Sequence, residues 1–112
     1  MRTLLIVFHP MTGGTRQMAE AAVRGAAETE PGVRARVLRA PEAEPADVLG
    51  ADGYVFATPE NLAAVAGLMK DFFDRTYYPA LGRIEGRPYA ALVCASSDGS
   101  NAAHQVERIC TG

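Results

Sequence analysis

Thr3-Leu4-Leu5-Ile6-Val7-Phe8-His9-Pro10-Met11-Thr12-Gly13-Gly14-Thr15 runs from an apolar segment into two hydroxyl residues that bracket two glycines. The apolar run Leu4 to Phe8 predicts a strand buried on both faces, as in a parallel sheet. Directly behind the glycines the pattern turns helical. Met18, Ala22, Gly25 and Ala26 share one face and Arg16, Glu20, Arg24 and Glu28 are free to face water, until Pro31-Gly32 ends the helix. A strand that ends in such a loop and opens a helix lets several backbone N–H groups converge on one anion at the helix's positive end. Glycine at these positions permits close approach.

Working outward, Val33, Ala35 and Val37 alternate with Arg34, Arg36 and Leu38, which predicts a shorter second strand at or near a sheet edge. Residues 40–51, with Pro41 and Pro45, read as a polar linker with a brief helical hint. Tyr54-Val55-Phe56-Ala57 is a third strand, and Thr58-Pro59-Glu60-Asn61 reads as a loop that ends it and starts a helix. In that helix Leu62, Val65, Leu68, Met69, Phe72 and Phe73 form one buried stripe, with Lys70, Asp71, Asp74 and Arg75 off it and Pro79 just past its end. Residues 89–95 are a fourth, wholly apolar strand, and Ser96-Ser97-Asp98-Gly99-Ser100-Asn101 leads into a last helix. This alternation predicts an α/β fold, a doubly wound parallel sheet of strand order 2-1-3-4. Its switch point lies between strands one and three, where the first two loops flank one crevice. Each loop alone suits an ordinary turn; their convergence on one sheet edge is what points to a ligand.

The 112 residues, 48% hydrophobic, are read as one domain. Eleven basic and 13 acidic residues give a net charge of −2 with no basic stripe, which disfavours nucleic acid. No apolar run reaches the roughly 18 residues of a membrane span, and the first residues run straight into a strand rather than a signal peptide. Cys94 and Cys110 have no framework spacing, so they are read as reduced thiols of a cytoplasmic protein. With His9 and His104 they also lack the ligand spacing of zinc.

Missing residues exclude several chemistries hosted by such sheets. Gly13-Gly14 has no lysine at Walker spacing, and Arg39 stands where a dinucleotide site needs an acid. No aspartate ends the third strand for phosphoacceptor work, and no cysteine follows the first to act as a phosphatase nucleophile. Ser96-Ser97 lacks the Gly-x-Ser-x-Gly elbow.

Thr12-Gly13-Gly14-Thr15, Thr58-Pro59-Glu60-Asn61, Gly67-Leu68-Met69-Lys70-Asp71-Phe72-Phe73-Asp74-Arg75 and Ser97-Asp98-Gly99 together resemble the flavodoxin-like family, on its NAD(P)H-dependent FMN reductase side. The resemblance covers nearly the whole chain, and the long second block is its most specific part. It implies FMN as cofactor and NAD(P)H as electron donor. Thr12 and Thr15 would donate hydroxyl hydrogen bonds to the FMN phosphate, and the Gly13 and Gly14 amides would add backbone donors. Thr58, Pro59, Glu60, Asn61, Ser96, Ser97, Asp98 and Gly99 would line the isoalloxazine ring and ribityl chain. His9 is a further candidate for the phosphate or flavin region, a hydrogen-bonded loop histidine being the plainer reading. Arg16 could pair with the phosphate or simply face solvent, and His104 reads as a helix-surface residue. Tyr77 and Tyr78 could stack on a ring across a subunit contact, core packing being their commoner fate.

Two positions depart from the family's pattern. Pro10 stands where members commonly carry serine, removing one hydroxyl and one N–H beside the phosphate loop. The family's fifth strand and last helix find no match, so the fourth strand is expected to present an uncovered apolar edge. Either the chain is a fragment of a longer product, or a second copy completes that edge by self-association. Because the flavin itself carries the electron chemistry, no catalytic side chain is nominated. The modest net charge and the absence of Phe, Tyr and Trp from the flavin loops favour an oxidoreductase reducing a quinone, flavin or similar acceptor over a flavodoxin-like electron carrier. The third expectation is a non-catalytic flavodoxin-like module that no longer binds FMN.

Overall fold

The computed structural model describes residues 2–9, 14–29, 32–61, 64–65, 67–94 and 100–111. Its elements are β1 (Arg2–Phe8), α1 (Gly14–Thr29), β2 (Val33–Arg39), a 3-10 turn (Ala40–Glu42), α2 (Pro45–Leu49), β3 (Gly53–Asn61), β4 (Ala64–Val65), α3 (Gly67–Ala80), β5 (Tyr89–Cys94) and α4 (Ser100–Thr111). Four strands pair in parallel in the order β2-β1-β3-β5, so the expected 2-1-3-4 arrangement is present, with β5 as its fourth strand.

Period-two alternation sends side chains to both faces of this sheet. Leu5 and Val7 of β1, with Tyr54 and Phe56 of β3, join Met69, Phe72 and Phe73 of α3 and Val106 of α4 in one core. Ile6 and Phe8, with Val55 and Ala57, face Ala19 of α1 in the other. That division explains why β1 reads as uninterrupted apolar sequence: Leu5, Ile6 and Val7 have 1% exposure or less. On α1, Ala19 is buried and Gly25, expected on the inner face, is exposed; Glu20 and Arg24 face water as expected.

Several expectations about the centre of the chain are corrected. Thr58, Pro59, Glu60 and Asn61 do not form a loop into a helix. They extend β3, whose last residues pair antiparallel with β4 (Glu60 with Val65, Asn61 with Ala64), and α3 begins only at Gly67. Val65 is therefore a strand residue, and Leu62 lies outside the described residues. Within α3 the buried stripe is Met69, Phe72, Phe73, Thr76 and Ala80, while Leu68 is 45% exposed. Thr76 tolerates burial because its hydroxyl donates to the Phe72 carbonyl at 2.9 Å. Pro79 lies inside α3, where the Leu81 amide still reaches the Tyr77 carbonyl at 2.9 Å. So close to the C-terminus a proline removes only a final-turn bond.

The supposed polar linker buries Ala40, Ala43, Val48 and Ala51. Arg75, which lies off the apolar stripe of α3 as expected, clamps this segment. Its guanidinium donates to the carbonyls of Ala43 (2.8 Å) and Ala40 (2.9 Å) and pairs with Asp71. Lys70 pairs with Asp74 on the exposed side of α3. From β5's side, Arg87 donates to the carbonyls of Leu49 (2.9 Å) and Ala51 (2.7 Å) at the end of α2. The Tyr54 hydroxyl adds a bond to the Val48 carbonyl at 2.6 Å. Asp47 accepts from the Glu44 amide and pairs with Arg36 of β2, tying α2 to the sheet's edge strand.

Candidate functional site

Parallel register puts the ends of β1, β3 and β5 on one edge. Phe8 lies opposite Ala57, Ala57 opposite Leu92 and Pro59 opposite Cys94. Beyond β1, the His9 amide donates to the Ala57 carbonyl at 3.1 Å, so β1 stays zipped to β3 for one residue past its last strand position. His9 is half-buried there and sits beside Thr58. Thr58 itself is fully buried.

This edge is also where the sheet reverses its winding. The connection from β1 runs through α1 on one face to β2, and that from β3 runs through α3 on the other face to β5. A crevice opens at such a reversal, outside the carboxyl ends of the two central strands. The N-terminus of α1, at Gly14, follows β1 closely, so a helix's positive end, with amides that have no partner inside the helix, comes to the same edge.

The expected site residues distribute as follows. His9, Gly14, Thr15, Thr58, Pro59, Glu60 and Asn61 lie among the described residues, at the end of β1, the start of α1 and the outer part of β3. Pro10, Thr12 and Gly13, and Ser96, Ser97, Asp98 and Gly99, lie outside the described residues. The backbone thus brings the first two loops' flanks together at the switch point, and β5 ends beside them at Cys94. Sequence reasoning missed the β3–β4 hairpin, which carries Glu60 and Asn61 past the end of the parallel sheet. Residues 62–66 carry no turn signature strong enough to announce it.

Other features expected to bear on function resolve plainly. His104 is exposed on α4. Tyr77 and Tyr78 do not enter the core: they are 39% and 79% exposed and meet edge to face with ring centroids 5.2 Å apart. Both lie on the solvent side of α3's last turns, where the inward positions belong to Thr76 and Ala80. Cys110 is a free thiol, and burial pushes it up to about 11. Among the described residues no cluster of His, Cys, Asp and Glu could hold a metal ion, and no helix is long and apolar enough to cross a membrane.

A helix N-terminus at such an edge offers backbone donors to an anion. Comparison with known proteins gives the arrangement a family. Residues 45–111 match the model of the NADPH-dependent FMN reductase family. A protein named "Flavodoxin" from Aquifex aeolicus is 36% identical over 97 residues, covering 87% of this chain and 50% of its own length. An "NAD(P)H dehydrogenase (quinone)" from Acidithiobacillus ferrooxidans is 35% identical over 95 residues, covering 68% of this chain and 48% of its own. The structure of a flavodoxin from the domain Archaea superposes with a TM-score of 0.82 at 19% identity, over 96% of this chain and 71% of that one. The chain spans about half the length of the curated relatives it matches. On the fold and the family match together, the chain belongs to the NADPH-dependent FMN reductase family.

Proposed function

We propose that this chain binds FMN at the carboxyl edge of its sheet and serves an NAD(P)H-dependent oxidoreductase that reduces a quinone, flavin or similar small acceptor. The observation that carries the proposal is the meeting of β1, the N-terminus of α1 and β3 at the switch point. Relatives named for NAD(P)H dehydrogenation of quinones support the reaction class. Thr12 and Thr15 donate their hydroxyls to the phosphate, and the Gly13 and Gly14 amides complete the cradle at the helix's positive end. Pro59, Glu60, Asn61, Ser96, Ser97, Asp98 and Gly99 would line the isoalloxazine ring and ribityl chain, with the buried Thr58 supporting the first of these segments from behind and His9 a further candidate at the end of β1. Bound FMN supplies hydride and single-electron transfer. The protein's own part is orientation, exclusion of water and hydrogen bonding to the phosphate and ring edge.

A second reading, an electron carrier without its own dehydrogenase activity, is favoured by the relative named "Flavodoxin". Stopped-flow mixing of the FMN-loaded chain with NADH and NADPH separates the two. Rapid bleaching of the flavin colour followed by turnover with a quinone supports the oxidoreductase. FMN uptake without reduction by either nucleotide supports the carrier, and a colourless chain that takes up no FMN supports a module that has lost the cofactor. The chain is read as one domain, and its free Cys110 thiol fits a cytoplasmic setting. Self-association belongs to the same proposal. Among the described residues β5 is paired on one side only, and Tyr89 to Cys94 carry no charge. Light scattering showing only monomer at micromolar concentration would rule it out.

A further inference from the structure

A cavity of about 220 Å³ lies on the α3–α4 side of the sheet, toward the starts of β3 and β5 and away from the carboxyl edge. It is lined by Tyr54 and Phe56 of β3, Tyr89 of β5, Phe73 of α3, and Ile109 and Cys110 from the last turns of α4. An apolar cavity of about 150 Å³ already accommodates benzene, so this one holds a fused pair of rings. The aromatic walls are preorganised: Phe56 meets Phe73 edge to face at 5.0 Å, and Tyr54 stacks on Phe56 at 5.9 Å. The raised Cys110 pKa agrees with a poorly hydrated wall.

Arg87 also lines this cavity. Among the described residues its bonds to Leu49, Ala51 and the Tyr54 hydroxyl all run through Nη1. The guanidinium presents five N–H groups in a fork suited to carboxylates, and this cluster uses only those on Nη1. One carboxylate, Glu85, borders the same space and would oppose an anion. It is the weaker influence, because its side chain accepts the Gly82 amide at 2.6 Å and stands in open solvent, whereas the Arg87 bonds are partly buried.

We propose that this cavity binds a small aromatic carboxylate, its rings between the Phe and Tyr side chains and its carboxylate on Arg87. The site is separate from the carboxyl-edge crevice and does not depend on FMN being bound there. The probe is 2-naphthoate, titrated calorimetrically into the intact chain with FMN in excess so that the crevice is not available to it. The companion readout is the rate of iodoacetamide alkylation of Cys110 at pH 9, followed by peptide mapping. Saturable binding that slows Cys110 alkylation at least fivefold is expected, with 2-naphthamide binding at least tenfold more weakly. Ile109→Trp, which fills the cavity, should abolish both effects while leaving the circular dichroism spectrum unchanged. Arg87→Gln should weaken naphthoate toward the amide's affinity. Because that variant also loosens α2, the naphthoate-to-naphthamide ratio on the unmodified chain decides the charge assignment if it misfolds. Absence of saturable binding, binding that leaves Cys110 alkylation unchanged, or equal affinity for acid and amide would each overturn the proposal.

Discussion

The two edges of the sheet are built on different principles. At the amino edge Arg87 reaches back 38 and 36 positions to Leu49 and Ala51, and along the α3 face Arg75 reaches back 32 and 35 to Ala43 and Ala40, just past the end of β2. At the carboxyl edge, the described part of the candidate site comes from short pieces of neighbouring elements: His9 after β1, Gly14 and Thr15 at the start of α1, and Thr58 to Asn61 at the end of β3. The tethers and the aromatic core hold the scaffold, and the proposed ligand site lies at the carboxyl edge. Loops at the carboxyl edge can therefore vary in chemistry while the tethered edge keeps the scaffold rigid.

Substitutions can break this division or sharpen it. The largest effect is expected from Phe72→Ala, which empties a 1% exposed position in contact with Phe56 and Phe73. It should cost about 3–5 kcal/mol in urea denaturation while leaving the FMN affinity of the folded fraction within twofold. At the other edge, Thr12→Val removes a hydroxyl proposed to meet the phosphate dianion. Loss of a charge-assisted bond worth about 1.5–3 kcal/mol weakens FMN roughly ten- to a hundredfold, and the melting temperature of the FMN-free chain should not move.

Arg75→Leu keeps the stem's packing, takes the Arg75 donor from the Ala43 carbonyl and leaves the Ala40 carbonyl only the Ala43 amide at 3.3 Å. A loss of about 1–3 kcal/mol is expected, with hydrogen exchange accelerating first in residues 40–49. Gly82→Ala tests the turn before β5. Gly82 has φ of +79° with open space around its Cα, so the cost is backbone strain alone, about 1–2 kcal/mol by chemical denaturation.

The smallest effect is a pH dependence from Cys110. Its folded pKa, about 11, lies above the ordinary value of 9.0, so the folded state holds the proton more tightly than the unfolded chain does. That contribution is complete below pH 9 and is lost as pH rises from 9 through 11. Denaturation midpoints of the unmodified chain should fall across that window more steeply than those of Cys110→Ala.

Much of the fold was legible in the sequence because it rests on local patterns. Leu4 to Phe8 announced a strand buried on both faces, and the argininyl alternation of β2 announced an edge. The positions that misled are those where tertiary context decides. Arg75 and Arg87 carry no sequence sign that they would turn inward, since their acceptors are backbone carbonyls and backbone carbonyls have no side-chain signature. Ala40, Ala43 and Ala51 were hidden among prolines and glutamates, yet small residues are what a linker needs to lie close to α3. Leu68 is exposed although its neighbour Met69 is fully buried, because the inward stripe of α3 runs through Met69, Phe72, Phe73 and Thr76. Thr58 to Asn61 carried turn-forming residue types and still continued β3, since pairing of Glu60 and Asn61 with β4 satisfies backbone groups that a loop would leave to water. At the candidate site the motifs identified the strands that converge, whereas the hairpin could be found only in three dimensions.

The most direct test is a titration of FMN with increasing concentrations of the purified chain, followed by flavin fluorescence. Saturable change to an endpoint of one FMN per chain, with a midpoint shifted at least tenfold by Thr12→Val and less than twofold by Arg75→Leu, is the expected result. Unchanged fluorescence at every concentration of a chain that remains folded by circular dichroism would contradict the assignment of the carboxyl edge to FMN.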